Sequence, residues 1–381
     1  MPDGGRVTVA HLTTVDMSLA LLLACELRVD VEAGFEVLGI SSPGPYVAGI
    51  EALGVTHVPV RSFTRHWDVR RDLAAAVELY RVLRRLRPDV LHTHTPKAGV
   101  LGRVLGRLAG VPVVVDTCHG LWMREDDSPA KRAVVVAVEA VASAFAHFEL
   151  YQNEPDRKAL RSFVGDRRAR VVGNGVDLAR FRFDPAGRDA VRAEFGVGPE
   201  DLLVGGVGRR VAEKGLHELG EAASALAGKA RFVWVGPDDG ESVAPEGLEF
   251  LPGRSDMPAV YSALDVFVLP SHREGFSRSA MEAAACGRPM VLSDIRGCRE
   301  VGDHDRHLLL APAADAVALT AALDRLLADP GLRARLGAAA ARRAVEAFDQ
   351  RQVAQASIDT YRLVARRRRL GWPDPCMSTD E

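Results

Sequence analysis

Pro270-Ser-His-Arg-Glu274-Gly275-Phe276-Ser277-Arg-Ser279-Ala-Met-Glu282 is the stretch on which the reading of the chain turns. It continues Ala-Ala-Ala-Cys286-Gly287-Arg-Pro289 and then Met290-Val-Leu292. The apolar run from Asp265 to Leu269 before it reads as a strand, and Met290 to Leu292 as a second. Between them, Ser279 to about Cys286 reads as a short helix stopped by Gly287 and Pro289. A strand–loop–helix–strand unit of an open parallel sheet places its loop at the carboxyl edge, where ligands bind. A helix N-terminus favours anions. The carboxylates of Glu274 and Glu282 are suited to accept hydrogen bonds from hydroxyls, so the unit reads as a pocket for a molecule with both phosphates and hydroxyls. Ser279-Ala-Met-Glu282 is also a capping box, which by itself would account for Glu282. Glu274 sits in a loop with no capping duty.

Glu274 followed after seven residues by Glu282, with Pro270-Ser271 before and Ala-Cys-Gly-Arg-Pro after, resembles the E-x7-E signature of glycosyltransferase family 4. The resemblance implies an α/β fold of the GT-B type, with two Rossmann-like doubly wound domains facing a cleft. It also implies a retaining enzyme that uses a nucleotide-sugar, expected to be UDP-linked.

Composition agrees with two domains of ordinary size: 381 residues, 47% hydrophobic, 26% charged. The formal net charge of −2 supplies no global field for nucleic acid. Five cysteines, Cys25, Cys118, Cys286, Cys298 and Cys376, are scattered with no C-x-x-C spacing, which points to reduced thiols rather than zinc or redox motifs. No signal peptide is visible, and Leu19 to Ala24 is too short to span a bilayer. The expected location is cytoplasmic, with the inner face of the membrane as the refinement.

From the start, strands are read at Val7–Ala10, Phe35–Ile40, His57–Val60, from Val90, Val111–Val115 and Phe148–Tyr151. Helices alternate with them at Leu19–Ala33, Val47–Leu53, Asp68–Arg85, Gly99–Ala109 and Lys131–Phe145, with Thr13 to Ser18 as a polar loop. That alternation argues for a doubly wound domain. Gly173-Asn174-Gly175-Val176-Asp177, then Asp184-Pro-Ala-Gly187, gives the linker signal. The expected division is 1–172, an acceptor-binding domain; 173–348, a nucleotide-sugar-binding domain; 349–370, a helix that the resemblance returns to the first domain; and 371–381, a frayed tail.

Four further motifs carry chemistry. Gly205 to Gly215 follows a strand and precedes a helix. Gly208 permits close backbone approach, and Arg209 and Lys214 supply positive charge for a diphosphate leaving group. The run resembles the family's G-R-x(3–4)-K-G diphosphate clamp; its other reading is two solvated basic residues on a turn. His119-Gly120 follows a strand; the resemblance sets it beside the donor sugar and its β-phosphate, and the alternative is a turn histidine satisfied by backbone. His92-Thr-His94-Thr95-Pro-Lys97-Ala-Gly99 opens a helix, and its polar density suits acceptor contacts by His94, Thr95 and Lys97. Metal is set aside for these histidines because no third histidine or carboxylate stands at ligand spacing. Asn174 and Asp177 resemble the family's hinge motif, though a tight turn explains them equally.

The resemblance assigns His119, Arg209, Lys214 and Glu274 to catalysis. It assigns Gly208, Arg209, Lys214, Glu274, Gly275, Phe276, Ser277 and Glu282 to the donor. No metal and no cofactor beyond the nucleotide-sugar are expected. The acid pairs Asp126-Asp127, Asp238-Asp239 and Asp303-His-Asp305 read as loop residues. The first loop lacks the family's Gly-Gly pair. Arg61, Arg65, Arg70, Arg71, Arg81, Arg84, Arg85, Arg87 and Arg366 to Arg369 read either as solvated faces or as a surface for anionic lipid. The expected acceptor is a cell-surface polysaccharide or lipid-linked glycan. The rivals are a small natural product, an epimerase or phosphorylase of similar fold, and a non-catalytic assembly partner.

Overall fold

A computed structural model describes residues 6–64, 68–123, 127–240 and 243–372. Arg65, Asp126, Cys376 and all of the expected tail but Gly371 and Trp372 lie outside the described residues. The chain forms two units: Met1–Val172 with Arg351–Glu381, and Gly173–Gln350.

In the first unit β1 (Thr8–Val15), α1 (Asp16–Leu22), α2 (Ala24–Glu32), β2 (Glu36–Ser42), α3 (Val47–Glu51), β3 (Thr56–Pro59) and α4 (Val69–Leu86) come first. They are followed by β4 (Val90–His94), α5 (Pro96–Ala109), β5 (Val113–Cys118), α6 (Pro129–Ser143), β6 (Phe148–Tyr151), α7 (Glu154–Leu160) and β7 (Ala169–Val171). The second unit runs α8 (Pro185–Glu194), β8 (Leu203–Val207), α9 (Leu216–Ala225), β9 (Arg231–Val235), β10 (Leu248–Leu251), α10 (Met257–Ala263) and β11 (Val266–Leu269). It continues with α11 (Arg278–Ala285), β12 (Met290–Ser293), α12 (Arg296–Arg299), β13 (Leu309–Ala311), α13 (Ala316–Ala328) and α14 (Pro330–Ala347); α15 (Gln350–Arg367) closes the series.

Both sheets are parallel and doubly wound. The first has the order β3-β2-β1-β4-β5-β6-β7 and the second β10-β9-β8-β11-β12-β13. Each reverses direction once, between β1 and β4 and between β8 and β11. The loops leaving those strands are therefore neighbours although far apart in sequence, and such a switch point is where an open α/β sheet binds ligands.

Local chemistry explains the elements. α4 starts where Asp68 accepts from the Arg71 amide at 2.9 Å, and stops at left-handed Arg87 before Pro88. From Arg351 onward α15 belongs to the first unit: Ala354, Ile358, Tyr361 and Val364 share a core cluster with Val9, Val90, Val113 and Phe148. The second unit has its own core around Trp234, Phe267, Tyr261 and Leu292.

The structure departs from the sequence expectation at two stretches. The stretch Thr13–Ser18 is no loop, because β1 runs to Val15 and α1 starts at Asp16. That buried carboxylate accepts from the Met17 and Tyr46 amides, both at 2.8 Å, so the expected helix 19–33 starts early and breaks at Leu23. Asp184-Pro-Ala-Gly187 is no linker. Asp184 caps α8, accepting from the Gly187 amide at 3.0 Å, inside the second unit. No helix of the described residues is long and apolar enough to cross a membrane.

Candidate active site

At the switch point of the second sheet, the loop after β8 ends in a 3-10 turn, Ala212–Lys214, and the loop after β11 carries Glu274. Pairing of β8 with β11 brings the two loops together. Lys214 Nζ donates to Glu274 Oε1 at 2.6 Å, with side chains 19% and 12% exposed. Backbone fit holds this register. Gly215 adopts φ +69°, and a Cβ there would stand 2.1 Å from the Pro270 carbonyl oxygen. A Cβ at Gly297 would meet the Glu274 carbonyl oxygen at 2.4 Å.

Arg209 and Glu282 have other partners. Arg209 Nη1 donates to Asp239 Oδ2 at 2.5 Å, in a pair 47% and 39% exposed. Glu282 accepts from the Tyr261 hydroxyl at 2.7 Å and from Arg278 Nε at 3.2 Å. Burial pushes the Glu282 carboxyl upward, against the pull of Arg278 and Tyr261. Among the described residues no ion pair joins Arg209 or Glu282 to Lys214 or Glu274. The capping-box account of Glu282 is overturned: the cap of α11 is Ser277, accepting from Ala280 N at 3.4 Å, and Glu282 lies in the second turn, each carboxylate oxygen accepting one hydrogen bond, from Tyr261 or Arg278. Phe276 is buried edge-on to Phe348, its carbonyl accepts from Asn174 Nδ2 at 3.3 Å, and Gly275 is half-buried beside it. Asp177 closes its own turn, accepting from Ala179 N and Arg180 N at 3.1 Å.

In the first unit His119 follows β5. Its Nε2 meets His94 Nδ1 at 3.0 Å and its Nδ1 meets Gln152 Nε2 at 2.8 Å, so both ring nitrogens are engaged. Burial lowers its pKa to about 4, which leaves a neutral imidazole. A small cleft beside it is lined by Thr95, Thr117, His119 and Gly120. Thr95 holds a left-handed φ of +64° at the start of α5, and its hydroxyl meets that of Thr14 at 3.1 Å.

The description "Glycosyltransferase Family 4" matches residues 23–180, and "Glycosyl transferases group 1" matches residues 201–329. A D-inositol 3-phosphate glycosyltransferase of Xylanimonas cellulosilytica is 31% identical over 366 residues, 89% of this chain and 84% of that protein. The chain belongs to glycosyltransferase family 4. A Campylobacter jejuni N,N'-diacetylbacillosaminyl-diphospho-undecaprenol alpha-1,3-N-acetylgalactosaminyltransferase is 29% identical over 300 residues, 74% of this chain and 79% of that one. The solved structure of Anabaena HepE with UDP and glucose aligns over 93% of this chain and 99% of its own, with TM-score 0.77 and 20% identity. The fold is GT-B.

In this glycosyltransferase the acceptor residues read from the sequence need correction. His94 is fully buried, and Lys97, 4% exposed, donates to Asp72 on α4 at 2.7 Å. Of the three, Thr95 alone lines the cleft. The ground for setting metal aside is also overturned. His11 on β1 and Glu26 on α2 join His92 and His94, with one donor atom from each within 4.8 Å of every other. The partner histidine lies on the neighbouring strand, where spacing along the chain cannot show it. Sequence reading also missed Asp239, taken for a loop acid, and Tyr261 and Gln152, which hold Glu282 and His119. A buried ion cluster beneath the cleft went unread as well: Arg103 faces Glu139 at 2.5 Å, Glu149 at 3.0 Å and Asp116 at 3.7 Å.

Proposed function

We propose that this glycosyltransferase moves a sugar, with retention at the anomeric carbon, from a UDP-sugar to a hydroxyl of a lipid-linked or polysaccharide glycan. The observation that carries the reading is the Lys214–Glu274 pair at the β8/β11 switch point. It sets a cation for the leaving diphosphate beside a carboxylate for the donor sugar's hydroxyls. As the bond from the anomeric carbon to the phosphate oxygen breaks, negative charge builds on the diphosphate; Lys214 and Arg209 stabilise it. The acceptor oxygen bonds the same carbon on the same face, and its proton passes to the departing phosphate. Glu274 and Glu282 bind hydroxyls of the donor sugar and the ribose. With two side-chain cations in that role, no metal takes part in the transfer.

The Campylobacter relative, whose name includes a diphospho-undecaprenol, and HepE, solved with UDP and glucose, support the acceptor and donor classes. A surface feature favours a lipid-linked acceptor over the inositol phosphate of the Xylanimonas relative. Val69, Leu73 and Val77 stand 86%, 67% and 42% exposed on α4. Arg61, Arg70, Arg81 and Arg85 line a groove of about 990 Å³ along the same helix. Apolar side chains amid arginines suit peripheral contact with an anionic membrane, on the cytoplasmic face that holds nucleotide-sugars.

The test is a thermal-shift and turnover panel of nucleotide-sugars against a diphosphate-lipid acceptor. A UDP-sugar should raise Tm and give a product one sugar heavier. The Arg209→Ala, Lys214→Ala double variant should lose about a hundredfold or more in kcat. Near wild-type turnover in that variant would sink the assignment.

A further inference from the structure

A second concentration of chemistry lies in the first unit, inside the sheet. His11 stands opposite His92 in the β1–β4 register, and His94 is two residues further along β4, so the three side chains share one face. All three imidazoles are fully buried, with ring centroids 5.4, 5.4 and 4.1 Å apart.

Each imidazole has its outer nitrogen held by a partner. His11 Nε2 meets Asp30 Oδ2 at 2.8 Å, His92 Nε2 meets Thr117 Oγ1 at 2.7 Å, and His94 Nδ1 meets His119 Nε2 at 3.0 Å. Partners of this kind, a carboxylate above all, orient histidines that bind a metal through the other nitrogen. The remaining nitrogens converge. His11 Nδ1 lies 3.1 Å from His94 Nε2, and His92 Nδ1 lies 3.3 Å from Glu26 Oε1. That buried oxygen has no hydrogen-bond donor. Neighbouring ligand atoms of a tetrahedral ion with bonds of about 2.0 Å stand about 3.3 Å apart. Both facing pairs already have that separation.

We propose that His11, His92, His94 and Glu26 form a binding site for one first-row divalent ion of the zinc class. Three imidazoles and one carboxylate suit such an ion, whereas magnesium and calcium prefer all-oxygen sets. The carboxylates of Glu26 and Asp30 would balance its two charges, and a neutral assembly is what burial demands. Four protein ligands, three of them fully buried imidazoles and the fourth a carboxylate only 12% exposed, make the site closed and structural: it pins α2 to the centre of the sheet and steadies His94 beneath His119. The Tyr361 hydroxyl, 2.6 Å from His92 Nδ1, competes for that nitrogen and must turn aside on loading. The inference does not depend on the transfer reaction.

The experiment uses the full chain purified from zinc-supplemented medium and passed, folded, over chelating resin. Elemental analysis should find one retained ion per chain. Refolding with cobalt(II) should give the visible bands of a four-coordinate site. Refolding in EDTA should lower Tm by about 5 °C or more. His92→Asn and Glu26→Gln should each lose the retained ion; should either fail to fold, the wild-type stoichiometry and cobalt spectrum decide. A chain that folds metal-free with the same Tm overturns the proposal and leaves a hydrogen-bonded histidine cluster. Metal stripped from the folded chain by the resin is surface-bound and overturns it equally.

Discussion

Lys214, Glu274 and Arg209 differ in how firmly they are held, and that difference orders their responses to mutation. The Arg209–Asp239 pair is about half exposed, and such pairs contribute about 0–1 kcal/mol. Arg209 can therefore leave Asp239 for a phosphate at little cost, and Asp239→Ala should change kcat/KM by less than about threefold. Lys214 and Glu274 are mostly shielded, so removing either leaves the other unpaired. In a double-mutant cycle on kcat/KM, Lys214→Ala and Glu274→Ala should be non-additive by about 1 kcal/mol or more. Strict additivity would mean that the pair does not act as a unit.

Arg103 supplies one positive charge to three buried carboxylates, and the excess negative charge has a pH signature. Burial, outweighing Arg103, pushes Glu149 up to about 8 and Asp116 up to about 6. An unfolded carboxyl titrates near 4. Between those values the folded state binds more protons than the unfolded one, so stability falls as pH rises from about 4 to about 8. Glu149→Gln removes the Glu149 share of that dependence, the part that extends to about pH 8, and leaves that of Asp116. The variant's Tm should exceed wild type at pH 8 and converge with it near pH 5, measured by calorimetry in matched buffers.

At the scale of elements, the loops after β8 and β11 depend on backbone contact as much as on side chains. Gly215→Ala adds a Cβ 2.1 Å from the Pro270 carbonyl at a left-handed φ. It should destabilise the second unit by about 2 kcal/mol or more and weaken UDP binding with it. α4 makes the opposite case. Its buried face, Ala75, Leu79, Val82 and Leu83, is full, while Leu73 and Val77 stand outside. Leu73→Asp with Val77→Asp should leave Tm nearly unchanged and abolish flotation with anionic vesicles at low salt. Wild-type flotation by that variant would assign the exposed face to solvent.

Two units with separate cores should not melt as one two-state system. UDP, if held by Lys214 and its neighbours, should raise one calorimetric transition by mass action and leave the other in place. α15 follows the second unit in sequence but packs in the first. Truncation after Gln350 would uncover Val9, Val90 and Phe148 and should collapse the first transition while sparing the UDP-sensitive one. Loss of the UDP-sensitive transition instead would show that the second unit cannot stand without that helix.

The alternation of strands and helices, the Glu274 loop and the Lys214 turn are legible along the chain without its fold. Each is a local pattern of periodicity, glycine and charge, and such patterns survive without knowledge of neighbours. Tertiary structure alone decided which charges meet. Lys214 finds Glu274 because strand order puts β8 beside β11; Arg209 finds Asp239, and Lys97 turns inward to Asp72. His11 reaches His92 and His94 because β1 lies against β4, a pairing between residues some eighty positions apart. Electrostatic and hydrogen-bonding partners are chosen by distance in space, and distance in space follows from sheet order and burial, which no spacing along the chain records.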